Sequence, residues 1–364
     1  MNKKTICILY GGRSEEHEIS LKSAASVVTN LDKDKYRILV VGIDKYGRWY
    51  LQSNYKTEGI SERDKILPIK ERDLPVSVLP GSGLLVKNKK LKLDVAFPIL
   101  HGTFGEDGTV QGLLEIAGLP YVGSGVLASS LSMHKGKTKE LWKQAGLPTA
   151  DFTIISTLDI QSGDSSKIEN TVKTLGLPLF VKPCRAGSSI GISKVKQAKG
   201  IVAALKIASE FDNEIIIERA VAGREIECSV IGNDRPVAYP PGEIRPKHEF
   251  YDYEAKYTDP EGAELIIPAP LDDKKKQKVM DLAVKAYRAV GASGFSRVDF
   301  FIEETSGNIF LNEINTIPGF TSISMFPKLC EAAGISYSRI LDMLIAFALE
   351  RHRKQENLLF DFSL

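Results

Sequence analysis

At 364 residues, 43% of them hydrophobic and 26% charged, the chain has enough material for two or three soluble domains with a full core. Its formal net charge of +2 gives no reason to expect a nucleic acid or an anionic membrane as partner. Four cysteines without a CxxC pair and five histidines far apart in sequence exclude a disulfide framework and zinc-type spacing; such scattered thiols fit a reducing cytosol, and the chain reads as cytoplasmic.

TICILY at residues 5–10 predicts a buried first strand, which turns at Gly11 and Gly12 into RSEEHEIS and a helix over LKSAASVVTNL. The apolar run is about six residues, a strand and not a signal peptide. No run approaches the roughly 18 apolar residues of a membrane span. The turn is not GxGxxG, which argues against an NAD-type site. Glu15, Glu16 and Glu18 read either as first-turn charges suited to the helix dipole or as partners for a substrate amine. YRILVVGIDKYGRWYL predicts two strands about a Lys-Tyr-Gly-Arg turn, and residues 52–90 read as a polar, weakly periodic excursion. LDVAFPIL is then a strand ending at His101, followed by the loop GTFGEDGTV and the helix QGLLEIAG. His101 lies at a strand's carboxyl end, where open α/β sheets hold ligands, but a lone histidine is equally a structural one.

Residues 127–145 predict one helical segment, closed by Gly146 and Pro148, with Lys135, Lys137 and Lys139 solvated. In TLGLPLFVKPCRAGSSIGISKV a strand ends at Lys182 and a Gly-Ser turn, Gly187 to Gly191, leads into another strand. Such a turn is either a plain hairpin or a loop whose N-H groups and hydroxyls wrap a phosphate chain. IVAALKIASEF predicts a helix, EIIIE a strand ending at Glu218, and RAVAGREIECSVIG a turn and a strand. This order marks an α+β nucleotide-clamping unit. Residues 241–263 read as a long loop, a lid or a surface insert, and DDKKKQKVMDLAVKAYRAVG as a helix burying Ala283, Ala286, Tyr287 and Val290.

GFSRVDFFIEETSGNIFLNEINTIPGFTSISM then alternates with period 2 about a break. It predicts a hairpin whose three-residue loop is Thr305, Ser306 and Gly307. That register sets Asp299 opposite Glu313, Arg297 opposite Asn315 and Phe301 opposite Leu311. Two facing carboxylates repel unless a cation lies between them. With the Asn315 amide they form a hard-oxygen set for a metal such as Mg²⁺, the usual equipment of phosphoryl transfer, which makes ATP the leading ligand. Two closing helices follow, FPKLCEAAG and YSRILDMLIAFALERHRK.

The loop HGTFGEDGTVQG, the segment VKPCRAGSSIG, the lid FYDYEAKY and the hairpin RVDFF to NEINTIPGFTS together resemble the D-alanine-D-alanine ligases of the ATP-grasp superfamily, in order and over nearly the whole chain. The resemblance implies an α/β and α+β fold, a Rossmann-like N-terminal substrate domain (1–132) followed by a two-lobed ATP-grasp domain (133–220 and 221–364, the latter with the lid and metal site). It matches Lys135 and Lys182 to lysines on the ATP phosphates, Glu218 to the carboxylate on the adenine amine and Glu225 to that on the ribose, with Arg219 and Val221 also at the nucleotide. Asp299, Glu313 and Asn315 match the ligands of two Mg²⁺ ions, for which Mn²⁺ can stand in. Glu16 and His101 match residues at the first D-alanine; Ser188 and Tyr257 match the partners of Glu16 in a triad that ties the lid shut, with Lys256 beside it. Arg297 and the Gly319 N-H match oxyanion-stabilising groups, and Ser324 and Met325 the positions that receive the second substrate's carboxylate.

The implied activity is ATP-dependent joining of two D-alanine molecules through an acyl phosphate, which supplies peptidoglycan precursors, in a homodimer with no nucleic-acid or membrane partner. The alternatives are a ligase joining D-alanine to D-lactate or D-serine, and a non-catalytic ATP-binding protein. Lactate-using relatives commonly carry histidine in place of the lid tyrosine, so YDYEAKY favours the amino-acid product.

Overall fold

The computed structural model describes residues 3–55, 66–70, 72, 74–162, 166–247 and 262–359. In chain order the first part forms β1 (Lys4–Gly11), α1 (His17–Asn30), β2 (Tyr36–Ile43), β3 (Trp49–Leu51), β4 (Val76–Leu79), β5 (Gly83–Val86), β6 (Lys89–Lys90), β7 (Val95–Ile99), α2 (Thr109–Ile116) and α3 (Val126–Met133). β1 is apolar on both faces and sits between β2 and β7, parallel to both, while β3 pairs antiparallel with the outer side of β2. A strand buried on both faces needs a continuous apolar run, and Ile6 to Tyr10 supply it. Part of the expected polar excursion is regular structure: β4, β5 and β6 form a small antiparallel sheet that buries Leu84. Its short strands, broken by turns at Gly81 and Asn88, are too brief for periodicity to register.

The second part contains α4 (Lys135–Gln144), β8 (Phe152–Ser156), α5 (Thr157–Gln161), α6 (Ser166–Leu175), β9 (Leu179–Pro183), β10 (Ser193–Val195), α7 (Ile201–Ser209) and β11 (Glu214–Arg219). Its sheet runs β10-β9-β11-β8, antiparallel throughout. The single helix expected over 127–145 is two, α3 and α4, parted at His134. That residue is extended, and its Nδ1 accepts the Lys137 N-H at 3.2 Å, so it caps α4 instead of continuing α3.

The third part forms β12 (Gly223–Ile231), β13 (Val237–Ala238), β14 (Gly242–Pro246), β15 (Ala263–Ile266), α8 (Asp273–Ala289), β16 (Phe295–Glu303), β17 (Ile309–Asn315), α9 (Met325–Ala332) and α10 (Tyr337–Glu356). The sheet order is β15-β14-β12-β16-β17, with β13 beside β12. α8 lays Val279, Ala283, Ala286 and Tyr287 on one face of this sheet. α10 returns to the first sheet, where Ile340, Leu341 and Leu344 share a core with Ile6, Ile8 and Val27. Among the described residues no single helix is long and apolar enough to cross a membrane.

The β16-β17 hairpin has the expected pairing at its far end but not near its turn. Asp299 faces Glu313 and Arg297 faces Asn315, whereas Phe301 faces Phe310, not Leu311. The loop begins one residue earlier than predicted, since Glu303 pairs with Asn308 through its N-H, and a bulge between Asp299 and Phe300 takes up the extra Asn312.

The glycine turn after β1 is fixed by a close approach. Gly11 has φ +90°, and a Cβ there would lie 2.2 Å from the Ile43 carbonyl oxygen. Gly11→Ala should therefore cost about 3 kcal/mol or more, adding a backbone clash to left-handed strain. Gly47→Ala, at φ +80° with nothing within 4 Å, should cost only about 1 kcal/mol. Urea unfolding of the two variants measures the difference.

Candidate active site

The period-2 alternation of β12, β16 and β17 sorts their side chains onto two faces. Ile226, Cys228, Val230, Val298, Phe300 and Ile314 enter the core beneath α8. The opposite face carries a row of three carboxylates, Glu227 facing Asp299 and Asp299 facing Glu313, next to a row of Ser229, Arg297 and Asn315. Arg297 grips both oxygens of Asp299, Nε and Nη2 each at 2.7 Å, and its Nε lies 3.1 Å from Glu227 Oε2. Burial alone would pull the Arg297 guanidinium down, but Asp299 and Glu227 raise it well above its ordinary value. Asn315 donates from Nδ2 to Asp299 Oδ2 at 3.0 Å, and Lys135 Nζ stands 3.9 Å from Glu313. The positive charge demanded by the facing carboxylates is thus supplied by side chains.

A second charged cluster lies at the junction of α4, β9 and β11. Glu218, 4% exposed, is bonded to Lys182 and lies 3.0 Å from Lys139, which is itself only 2% exposed. Burial would raise the Glu218 carboxyl; Lys139 and Lys182 overrule it and hold the group at about 2. Lys139 corrects the expectation of a solvated side chain. It falls on one helical face with Lys135 and the fully buried Trp142, whose Nε1 donates to the Ala286 carbonyl at 3.1 Å, so packing α4 against α8 carries the lysine inward. Lys137 is exposed as expected. Lys135 reaches the loop after β9, donating to the Ala186 carbonyl at 2.5 Å.

At the other end of the cleft the buried Glu16 accepts a hydrogen bond from Ser188, joining the start of α1 to the Gly-Ser loop. Ser188 and Ser189 are both left-handed, φ +49° and +61°. His101 donates from Nδ1 to the Ile317 carbonyl at 2.9 Å, which leaves Nε2 to accept from Ser23 at 3.0 Å. Burial lowers its imidazole, against the opposing pull of Glu16. Glu106 bridges the same two segments, accepting from Gly102 N-H at 2.9 Å and Ile317 N-H at 3.0 Å; burial and Glu16 raise its carboxyl. Gly319 precedes Phe320, whose ring is wedged among Phe295, Phe326 and Tyr337 at centroid distances of 5.4, 5.3 and 5.9 Å. Ser324 Oγ accepts from Thr321 N-H at 3.1 Å and caps no helix N-H, which leaves the first N-H groups of α9 without a side-chain cap.

The remaining expected residues are more dispersed. The Met325 side chain is buried with Ile244 and Leu329, so only its backbone is available to a ligand. Arg219 pairs with Glu303 at 2.8 Å and stacks over Phe310. Val221 and Glu225 are half-buried at the start of β12's approach and on β12 itself. Lys256 and Tyr257 lie outside the described residues.

Comparison with known proteins matches residues 5–124 to the model of the D-ala D-ala ligase N-terminus and 141–346 to that of the D-ala D-ala ligase C-terminus. The chain belongs to the D-ala D-ala ligase family. A D-alanine--D-alanine ligase of Treponema denticola is 47% identical over 361 residues, 97% of this chain and 98% of that one. Among solved structures, the ligase of Coxiella burnetii superposes with a TM-score of 0.83 at 35% identity, covering 98% of this chain and 97% of that one. The VanG D-Ala:D-Ser ligase of Enterococcus faecalis gives 0.84 at 37%, covering 95% of this chain and all of that one. The fold is thus the ATP-grasp fold of the family.

The family's chemistry calls for a divalent cation, and the donor set of Asp299, Glu313 and the Asn315 amide fits a hard one. Among the described residues no group of three or more His, Cys, Asp or Glu side chains is gathered as a self-sufficient metal cage. A site that draws further oxygens from phosphates needs none. Sequence reading missed Lys139, Glu227 and Glu106. The first two carried a signal, Lys139 in its helical spacing from Trp142 and Glu227 in its strand spacing from Glu225; Glu106, in an irregular loop, carried none.

Because the Glu218 carboxyl is depressed in the folded protein, its contribution is present above its unfolded value of 4.5 and is lost as pH falls toward about 2. Glu218→Gln should lose on the order of 3 kcal/mol at neutral pH. The gap to wild type should close in that acid window, as chemical unfolding at stepped pH would reveal.

Proposed function

We propose that this chain joins two D-alanine molecules at the expense of ATP, supplying D-alanyl-D-alanine for peptidoglycan precursors. The observation that carries the reading is the charged sheet face, with Arg297 set among Glu227, Asp299 and Asn315, in a chain matched along nearly its whole length to this ligase family. The division into 1–132, 133–220 and 221–364 and a homodimeric assembly belong to the same proposal.

A carboxylate is a poor electrophile, so one oxygen of the first D-alanine attacks the γ-phosphorus of ATP and ADP departs, leaving an acyl phosphate. Lys135 and Lys182 balance charge on the phosphates, Glu218 and Glu225 hold the adenine amine and the ribose, and Arg219 and Val221 line the nucleotide. Asp299, Glu313 and Asn315 would hold two Mg²⁺ ions, or Mn²⁺ in their place, Asn315 by turning its amide oxygen inward. Bound there, the cations would neutralise negative charge on the transferring phosphoryl group. Glu16 and His101 form the first-substrate end; Ser188 fixes Glu16, and Tyr257 and Lys256 complete the closure over it. The amine of the second D-alanine, its carboxylate held by Ser324 and the Met325 N-H, then attacks the acyl carbon. Arg297 and the Gly319 N-H stabilise the tetrahedral oxyanion. Collapse expels inorganic phosphate, whose leaving oxygen takes up the proton that the amine loses as the amide forms. Closure excludes water, which would otherwise hydrolyse the acyl phosphate.

The test is ADP release and product identity with D-alanine alone and with D-serine or D-lactate added. D-alanyl-D-alanine should predominate, and a predominant mixed product would overturn the choice. Asp299→Asn and Glu313→Gln should each lower turnover by about 10³-fold or more, while circular dichroism shows the fold retained.

A further inference from the structure

The Lys139–Glu218–Lys182 cluster sets two ammonium groups against one carboxylate in a space with little water. Glu313 acts on both ammonium groups and Glu225 on Lys182 from further away, so Glu218 is the carboxylate that pairs directly with both lysines, and an incoming anion that drew one of them off would leave it to the other. The two lysines differ in what else holds them. Lys182, on β9 beside β11, is the more open and lies 5.3 Å above the Phe180 ring. Lys139 is enclosed, anchored by α4 packing, with its Nζ 3.4 Å from the Leu311 carbonyl and 3.0 Å from Glu218. Burial holds the Lys139 ammonium below its ordinary value, a shift that Glu218 opposes and Lys182 adds to. Lys182 is therefore the one free to turn toward a triphosphate, and Lys139 the one that stays.

We propose that Lys139 is a positioning residue for nucleotide selection: it keeps Glu218 compensated and fixed when Lys182 leaves it for the phosphates, so that the carboxylate accepts from the amino group of the base. The inference rests on the assignment of Glu218 and Lys182 to the nucleotide. Lys139 itself touches neither base nor phosphate. Without it, Glu218 has Lys182 as its remaining cation within the cluster, and the nucleotide must compete with the carboxylate for that lysine.

The experiment measures binding of ATP and of inosine triphosphate, which carries an oxygen in place of the amino group, to wild type, Lys139→Met and Lys139→Arg. Lys139→Met leaves Glu218 paired with Lys182 and so strands no buried charge; should it not fold, Lys139→Gln is read in the same way. Lys139→Met should weaken ATP roughly tenfold and reduce the preference for ATP over inosine triphosphate, with the thermal midpoint close to wild type. Lys139→Arg, which keeps the charge, should restore the preference at least in part. A merely structural role would lower the midpoint and leave the ratio of the two nucleotides unchanged, and that result overturns the proposal. If wild type itself shows no preference between the two, the assignment of Glu218 to the base fails, which is a separate outcome from a wild-type preference that survives in Lys139→Met.

Discussion

Taking a carboxylate out of water costs several kcal/mol unless cations or hydrogen-bond donors replace its hydration, and the cleft buries Glu16, Glu218, Glu227 and Asp299 together. Their compensation comes from several elements of the fold. Glu218 has ammonium groups from α4 and β9, Glu227 and Asp299 share the Arg297 guanidinium, and Glu16 takes the Ser188 hydroxyl. Arg297 and Asp299 are neighbours on β16, but the partners of Glu16, Glu218 and Glu227 come from segments remote in sequence, so those charges are compensated only when the sheets and α4 are correctly placed. In the proposed reaction the groups that make burial of the acids tolerable also serve phosphoryl and acyl transfer. Ligand binding is therefore an exchange of partners and not the filling of an uncharged space. Divalent cations would compete with Arg297 for Asp299, and a triphosphate would compete with Glu218 for Lys182.

Strand content and the hairpin that carries Asp299 and Glu313 were legible because alternation of side chains is a property of the backbone and needs no tertiary partner. The loop and the register beside it were misread, yet the pairing at the functional end is as expected. The earlier start of the turn and the bulge at Asn312 offset each other, and the bulge is invisible in a pattern of apolar and polar residues. Other features depend on what lies across the interior. His134 ends one helix and begins the next only because its side chain bonds to the Lys137 N-H, and Lys139 is buried because Trp142 must reach α8. Glu106 owes its place to two backbone N-H groups 211 and 4 residues away, a relation no local pattern encodes. Most of the residues proposed for nucleotide and metal came from resemblance; their mutual ion pairs were not legible in the sequence.

The loop about Ser188 shows what the cleft demands of its backbone. Gly102 and Gly187 approach the Glu16 carboxylate from two sides, and a Cβ at either would lie 2.6 or 2.8 Å from Oε2. Ser188 and Ser189 occupy the left-handed region, at a cost of about 1–2 kcal/mol each, because that conformation brings the Ser188 hydroxyl onto Glu16 Oε1. Glu16 stands at the head of α1, in the first part of the chain, and Ser188 in the second. Their bond therefore fixes the distance between the head of α1 and the Gly-Ser loop, the two segments proposed to face the first substrate and the phosphates. A serine that reached Glu16 from an ordinary backbone conformation would need a longer loop, and a longer loop would hold that distance less firmly. Strain in two residues thus accompanies a short loop that runs from β9 to β10 and must bring the Ser188 hydroxyl onto Glu16 on the way.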